Sequence, residues 1–281
     1  MLNKYLITGG SGFLGKNLVS RMIELGYKNI LVLSKNEEQL LELKDKFPQV
    51  EIMVGDINDI SVCEKACNDI YGIFHLAAFK HVGLAEDNIE ECIKSNINGT
   101  INLLNCTLKY KPNFIIGIST DKAAKPTGIY GMTKYLMERL FSEYERNNRN
   151  TKYRIVRFGN MIYSTGSVLC KWREKMLNDL PIQVTDLSST RFYWTVNEAI
   201  NLIFRCLKEA KDSKVYVEQM KAIRLSDLVN AMYEKYGVGK EIKIEFIGLQ
   251  KGENLHEFIG DNLLDSDHAE KYTNKDILKI I

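Results

Sequence analysis

Tyr130 and Lys134 stand four residues apart, so on a helix their side chains leave from one face. An ammonium beside a phenol lowers the phenol's pKa and makes phenolate usable as a base near neutral pH. Upstream, Ser119-Thr120-Asp121-Lys122 closes an apolar run, and Tyr130 follows eight residues beyond Lys122. Thr120 can hydrogen-bond the same substrate hydroxyl that Tyr130 would deprotonate. Alone, the Tyr-x-x-x-Lys spacing is usually just a solvated helix face. Its meaning depends on a second constellation near the start of the chain.

That constellation is Thr8-Gly9-Gly10-Ser11-Gly12-Phe13-Leu14-Gly15, with glycines at 9, 12 and 15. It follows a short β-branched run and opens an amphipathic stretch. Glycine permits the tight turn and lets backbone N–H groups approach a pyrophosphate at a helix N-terminus. Gly15 lets helix and strand pack closely, and Ser11, Phe13 and Leu14 complete the expected cofactor loop. Asp56 can accept from an adenine amino group while Ile57 packs on the ring. Leu76-Ala77-Ala78 is small enough for the cofactor ribose to lie close. The second strand runs into Ser34-Lys35-Asn36, with no Asp or Glu to bind a 2′-hydroxyl. Ser34 and Lys35 can hold a 2′-phosphate, but lysine lacks the arginine fork and Glu37 and Glu38 follow at once. NAD and NADP both stay open.

Both constellations need rigid elements behind them. Short β-branched runs at 4–8, 29–33, 51–54, 72–75, 114–118 and 154–158 alternate with stretches of helical spacing. Leu14, Leu18, Met22 and Leu25 form one apolar stripe; Leu40, Leu43 and Phe47 form a second. Ile93, Ile97, Ile101, Leu104 and Leu108 form a long third, and Leu136, Leu140 and Tyr144 a fourth. This alternation predicts an α/β fold of the Rossmann type: a doubly wound parallel sheet with helices on both faces and a smaller C-terminal substrate-binding lobe. Residues 1–158, plus about 195–217, are expected to form the dinucleotide-binding domain, and 159–194 with 218–281 the second lobe. In that lobe, a helix carrying Trp172 and Met176, a strand near 181–185, a helix over 197–210 capped by Asn197, and pieces at 214–217, 225–236 and 241–247 are predicted. The last fifteen residues read as a short helix or a mobile tail.

Composition limits the function classes. Lys plus Arg number 38 against 36 Asp plus Glu, and a net charge of +2 lacks the basic footprint of a nucleic-acid binder. At 281 residues with 45% apolar and 26% charged, the chain suits one large soluble domain or two tightly joined ones. No apolar run approaches the ~18 residues that span a bilayer. The start, MLNKYLITGG, lacks the features of a secretory signal, so a cytoplasmic protein is expected. The six cysteines are dispersed. Cys63 and Cys67, four apart, read as buried thiols rather than half of a metal site, and no metal is expected.

With these residues in place, the chain resembles the extended short-chain dehydrogenase/reductases. Within them it is most similar to the C5-inverting UDP-N-acetylglucosamine 4,6-dehydratases, the polysaccharide-biosynthesis group that opens the pseudaminic-acid route. The shared motifs are TGGSGFLG, GDI, HLAAFKHV-x-x-x-E, SNINGT, STDKA-x-x-P-x-x-x-YG-x-TK, RFGN, GSV, PI-x-VTD, TRF and GENLHE, from about Leu2 to about Glu257. The resemblance implies that Tyr130 takes the C4 hydroxyl proton while the C4 hydride passes to a tightly bound, recycled nicotinamide. It implies that Lys122 removes the C5 proton made acidic by the 4-ketone, and that Asp121 protonates the departing C6 hydroxyl. It adds Lys80, Asn96 and Phe158 to the cofactor contacts. It places Lys80, Asn160, Ser167, Val168, Thr185, Arg191 and Glu253 on the UDP-sugar, Arg191 being the best physical candidate for the pyrophosphate. His81 is expected to orient or pack, His75 to be core and His256 to steady its loop.

The departures cluster in the second lobe. Thr165 stands where the family has Arg, Cys170 where it has Pro, and Gln250 where it has Arg, while Glu218-Gln219-Met220-Lys221-Ala222 replaces a Pro-rich run. Intact catalytic motifs beside an altered lobe favour the second enzyme of a split pathway. That enzyme would oxidise C4 of a 5,6-unsaturated UDP-sugar, return hydride to C6 and protonate C5, giving UDP-4-keto-6-deoxy-L-AltNAc. A complete inverting dehydratase, another UDP-sugar epimerase or reductase, and a non-catalytic nicotinamide-binding sensor remain as alternatives. The stripes at 93–108 and 136–144 are the ones that pair across the superfamily's two-fold axis, so a homodimer is expected, with a hexamer as the family's other assembly.

Overall fold

Lys4–Thr8 forms strand β1, and its buried end delivers Thr8 to the glycine turn, which leads straight into helix α1 (Phe13–Glu24). The structure is a computed structural model describing residues 3–281; Met1 and Leu2, where the motif-bearing stretch begins, lie outside the described residues. The alternation continues through β2 (Asn29–Ser34), α2 (Glu37–Lys46), β3 (Glu51–Val54), α3 (Ile60–Cys67), β4 (Gly72–His75), α4 (Val82–Asp87), α5 (Ile89–Ile93), α6 (Gly99–Tyr110), β5 (Phe114–Thr120), α7 (Ile129–Asn147) and β6 (Lys152–Phe158). Then come β7 (Asn160–Met161), α8 (Val168–Leu177), β8 (Ile182–Val184), β9 (Thr190–Trp194), α9 (Val196–Glu209), β10 (Val215–Tyr216), β11 (Ala222–Arg224), α10 (Leu225–Tyr236), β12 (Ile244–Phe246) and α11 (Asn274–Ile280).

Seven strands make one sheet in the order β10-β6-β5-β4-β1-β2-β3, every pair parallel. This is the doubly wound order expected, extended at one edge by β10. Apolar strands suit a sheet covered on both faces. One face packs Leu14, Leu18, Met22, Leu40 and Leu43 from α1 and α2 with Ile200, Leu202 and Ile203 of α9. The other packs Cys63, Leu103, Leu104, Met137 and Phe141 from α3, α6 and α7. Beyond the sheet, β11-β9-β7 and β12-β8 form two small sheets. Trp172, Met176, Leu228, Met232 and Ile277 fill a separate core beneath them.

Three helical expectations need correction. The long stripe over 93–108 is helical throughout, but a π-helical turn at Lys94–Asn98 shifts its buried face, so that Asn96, Ile97 and Leu104 are buried while Ile93 and Leu108 are exposed. In α7 the buried large apolar residues are Met137 and Phe141, and Leu136 faces outward; Leu25, the C-cap of α1, is also exposed. Asn197 does not cap α9. Thr195 does, because Thr195-x-x-Glu198 closes a capping box: Glu198 N donates to Thr195 Oγ1, and Thr195 N donates to Glu198 Oε2 at 2.7 Å. The last fifteen residues hold α11, capped by Thr273 and anchored by buried Ile277.

Candidate active site

The strand order reverses between β1 and β4, and a cleft opens there at the carboxyl ends of the strands. Its volume is about 450 Å³. The glycine turn supplies one wall with Gly9, Ser11, Gly12, Phe13, Leu14 and Gly15. Gly9 has φ +66° and lies so close to the end of β4 that a Cβ would come 2.7 Å from Ala77 N; a Cβ at Gly15 would meet Gly10 at 2.4 Å. Only glycine permits these approaches. Ser34, Lys35 and Asn36 form a second wall, Leu76, Ala77 and Ala78 a third, and Lys80, Thr120, Lys122, Tyr130, Lys134 and Phe158 the remainder.

The lining fits a dinucleotide. The twelve-residue α1 begins at Gly12 with no side-chain cap and no acidic residue in its first turn, leaving its N–H groups and positive dipole end for a pyrophosphate. Three expected cofactor residues lie off these walls. Asp56 pairs with Lys35 at 3.7 Å and accepts from Asn58 N. Ile57 is buried against Gly99. Asn96 grips the loop after β4, accepting from Phe79 N at 2.7 Å and donating to Thr133 Oγ1 at 3.0 Å. It shapes the cleft from behind.

At the deep end, Tyr130 stands within hydrogen-bond reach of Thr120. Burial pushes the phenol up to about 12, and the ammonium that draws it down is Lys122. Lys134 was expected in that role. Instead its Nζ turns along the helix and donates to Met137 Sδ at 3.2 Å, and burial brings it down to about 8. Lys122 Nζ lies 3.1 Å from Asp121 Oδ1 and 3.5 Å from Glu257 Oε1. Burial alone would depress this ammonium, but Asp121 and Glu257 outweigh it and hold Lys122 above the usual lysine range. Asp121 is also raised, which for a carboxyl favours the neutral form: burial outweighs the pull of Lys122. Asp121 lines neither cavity, and its Oδ2 is buried without a hydrogen-bond partner beside Gly159.

A second cavity of about 340 Å³ opens from the first through Lys80, Lys122, Asn160 and Met161. It gathers every residue expected on the UDP-sugar: Lys80, Asn160, Ser167, Val168, Thr185, Arg191 and Glu253. Arg191 Nη1 donates to the Thr190 and Leu255 carbonyls, both at 2.9 Å. His81 lines the cavity under Gly166, and burial with nearby Lys80 and Lys171 lowers its pKa. His75 is core, bridging Thr8 and Thr100, and His256 bonds Thr190. Of the departures, Thr165 lines the cavity and its carbonyl accepts from Lys80 Nζ; Cys170 Sγ faces the Ser164 carbonyl, and Gln250 bonds the Ile247 and Gly248 carbonyls.

Sequence reading missed three charged residues behind the site. Arg157 and Glu138 form a buried two-point ion pair at 2.7 and 3.1 Å, Ser119 Oγ donates to the same carboxylate, and Arg157 Nη1 reaches the Ile259 carbonyl. The third is Glu257. All three sat inside or next to quoted motifs, as the Arg of RFGN, the last Glu of GENLHE and the Glu one turn after Lys134; their lack of an assigned task was the available signal.

The parallel sheet, the glycine turn and the Thr120–Tyr130–Lys134 arrangement define an enzyme of the short-chain dehydrogenase/reductase class. The profile of the family described as polysaccharide biosynthesis protein matches residues 5–281. The chain belongs to that family. It is 36% identical over 261 residues to an uncharacterized membrane protein of Methanocaldococcus jannaschii, spanning 90% of this chain and 78% of the relative. It is 30% identical over 270 residues to a UDP-N-acetylglucosamine 4,6-dehydratase (inverting) of Campylobacter jejuni, spanning 92% and 78%. The X-ray structure of Pen from Bacillus thuringiensis matches with a TM-score of 0.93 at 30% identity, over 99% of this chain and 97% of that one. Among the described residues no helix is long and apolar enough to cross a membrane.

Proposed function

We propose that the protein acts on a UDP-N-acetylhexosamine carrying a 5,6-double bond and converts it to UDP-4-keto-6-deoxy-L-AltNAc, in the cytoplasm and on the route to pseudaminic acid. The observation that carries this reading is the contrast between Asp121 and Lys122. Dehydration needs a base at C5 and an acid at the C6 hydroxyl. Here the carboxyl expected to be that acid lines neither cavity, whereas the group that lines both is an ammonium between two carboxylates. Reduction of a 4-keto-5,6-ene needs no leaving group; it needs a proton donor at C5.

Tyr130 accepts the C4 hydroxyl proton as the phenolate, the form that the neighbouring Lys122 ammonium favours against burial, and Thr120 holds the hydroxyl. The glycine turn and the Leu76–Ala78 wall would hold a nicotinamide dinucleotide, which would supply the hydride-transfer chemistry between C4 and C6. As C6 gains hydride, the C5=C6 electron pair moves toward the C4 carbonyl, and Lys122 Nζ gives its proton to C5. Arg191, Thr185 and Glu253 hold the UDP portion. Ser34, Lys35 and Asn36 line the cleft where the second strand ends, and the cofactor proposed there is NAD or NADP. The exposed Ile93, Leu108, Met132 and Leu136 on α5, α6 and α7 form the face of a homodimer, readable by analytical ultracentrifugation.

The relatedness to an inverting dehydratase supports the second reading, a complete C5-inverting 4,6-dehydratase. Proton NMR in deuterated buffer separates the two. The proposal expects no change in UDP-N-acetylglucosamine and conversion of the UDP-sugar 5,6-ene to a product deuterated at C5. A 4-keto-6-deoxy sugar formed from UDP-N-acetylglucosamine alone selects the complete dehydratase, and inertness toward both sugars overturns both readings.

A further inference from the structure

One buried carboxylate beside the reacting groups has no part in the chemistry above. Glu257 is 1% exposed and lies in the segment after β12, far in sequence from the sheet. Its Oε1 reaches Lys122 Nζ at 3.5 Å and Arg191 Nε at 3.8 Å. Its own loop fixes it. Asn254 Nδ2 donates to Oε2 at 3.3 Å, and the Glu257 N–H donates to Ser266 Oγ at 2.7 Å. Ser266 in turn bonds the Thr190 hydroxyl and carbonyl. The carboxylate is therefore held on β9, beside Arg191.

Lys122 is faced by Asp121 from the end of β5, Tyr130 from α7, Arg191 and Tyr193 from β9, and Glu257 from the second lobe. Asp121 is the nearer of the two carboxylates, at 3.1 Å, but its Oδ2 is buried and unpartnered and burial favours its neutral form, whereas Glu257 is held in the charged form by Lys122 and Arg191. Glu257 is shared between two cations, and both of them line the second cavity. We propose that Glu257 is a positioning residue: it keeps Lys122 protonated and aimed at the sugar, and through Arg191 it links that charge to occupancy of the nucleotide site. This rests on the function proposed above for the role of the proton, although not for the ion pair itself. When a diphosphate engages Arg191, the guanidinium divides its charge, Glu257 is left more fully to Lys122, and the ammonium is held harder.

Two measurements test this separately. In protein labelled at lysine ¹³Cε, the Lys122 signal is assigned by its disappearance in Lys122→Arg. In wild type it stays in the protonated position up to about pH 11, whereas in Glu257→Gln its midpoint falls by about one unit or more. Added UDP raises the midpoint in wild type and leaves it unmoved in Glu257→Gln. An unchanged midpoint in Glu257→Gln overturns the proposal, and because this titration needs no turnover it stands even if no sugar is converted. With the 5,6-ene as substrate, Glu257→Gln keeps C4 oxidation, seen as absorbance near 340 nm. It loses about tenfold or more in C5 deuteration above neutral pH, and its alkaline limb moves down. Loss of both half-reactions in parallel, with the pH profile unmoved, assigns Glu257 a structural role only and overturns the proposal. Glu257→Asp, which keeps the charge at longer reach, gives an intermediate midpoint and makes the test independent of any misfolding of the amide variant.

Discussion

The cofactor cleft and the sugar cavity share Lys80, Lys122, Asn160 and Met161, yet they are built on different plans. The cleft is made by the ends of neighbouring parallel strands. Its walls are short contiguous segments at the ends of strands paired in fixed register. The cavity is made by side chains from loops, from the short strands β7, β8 and β9 and from the starts of α8 and α10, scattered from Lys80 to Glu253 and held over one another by a few polar contacts. A strand end carries its geometry in its own sequence. A loop cavity depends on contacts that no local stretch encodes. The first plan conserves one task, binding a dinucleotide; the second allows the sugar and the proton chemistry to change while the sheet stays as it is.

The largest expected effect falls at the junction of the two regions. Tyr130→Phe removes the phenol that lines the deep end of the cleft, and turnover should drop by about 10²–10⁴-fold while cofactor content per protein is unchanged. Loss of bound cofactor along with activity would mean that the two regions are not separable at that point. Next, Arg191→Ala should act on the cavity alone. Losing one charge-assisted contact to a diphosphate raises KM about 10–100-fold, with dinucleotide affinity untouched. Equal weakening of both ligands in paired calorimetric titrations would erase the distinction.

Legibility in the sequence follows the same division. The predicted limits of β1, β3 and β4 coincide with the observed ones, because a β-branched run bounded by turn residues is a local signal. The glycine turn was readable for the same reason. What stayed hidden depends on the rest of the chain. Lys134 was expected to act on Tyr130 because the two share a helix face, but Met137 and a dry environment draw its Nζ away, and Lys122, from the strand end, takes that place. Asn96 looked like a ligand and is a brace for Phe79. Arg157 with Glu138, and Glu257 with Lys122, are pairs separated by 19 and 135 positions, and no periodicity joins them.

A smaller effect probes the rigidity of the cleft through pH. His75 sits at the end of β4 between Thr8 and Thr100, and burial lowers its pKa to about 3. The unfolded chain binds that proton near pH 6.5, so between about 6.5 and 3 the unfolded state holds more protons than the folded one. Stability should therefore be complete above about pH 6.5 and fall as pH drops through that window, by up to about 1.4 kcal/mol per unit. A His75 ring that nitrogen NMR finds charged at pH 5 in the folded protein would show that the cleft admits water.

The smallest effect lies outside both sites, in α9, which covers the sheet under the cleft. Thr195→Ala breaks the capping box and should cost about 1 kcal/mol, or a few degrees in Tm, with kcat and KM unchanged. Asn197→Ala should cost almost nothing, since Asn197 lies inside the helix and does not cap it. The contrast between these near neighbours isolates what the box contributes. Glu198 accepts from both the backbone N–H and the hydroxyl of Thr195, so Glu198→Ala should reproduce most of the Thr195→Ala loss, and the double variant should lose little more than either alone. Fully additive losses would mean that the two residues act independently and that α9 is started by burial of its apolar face rather than by its cap.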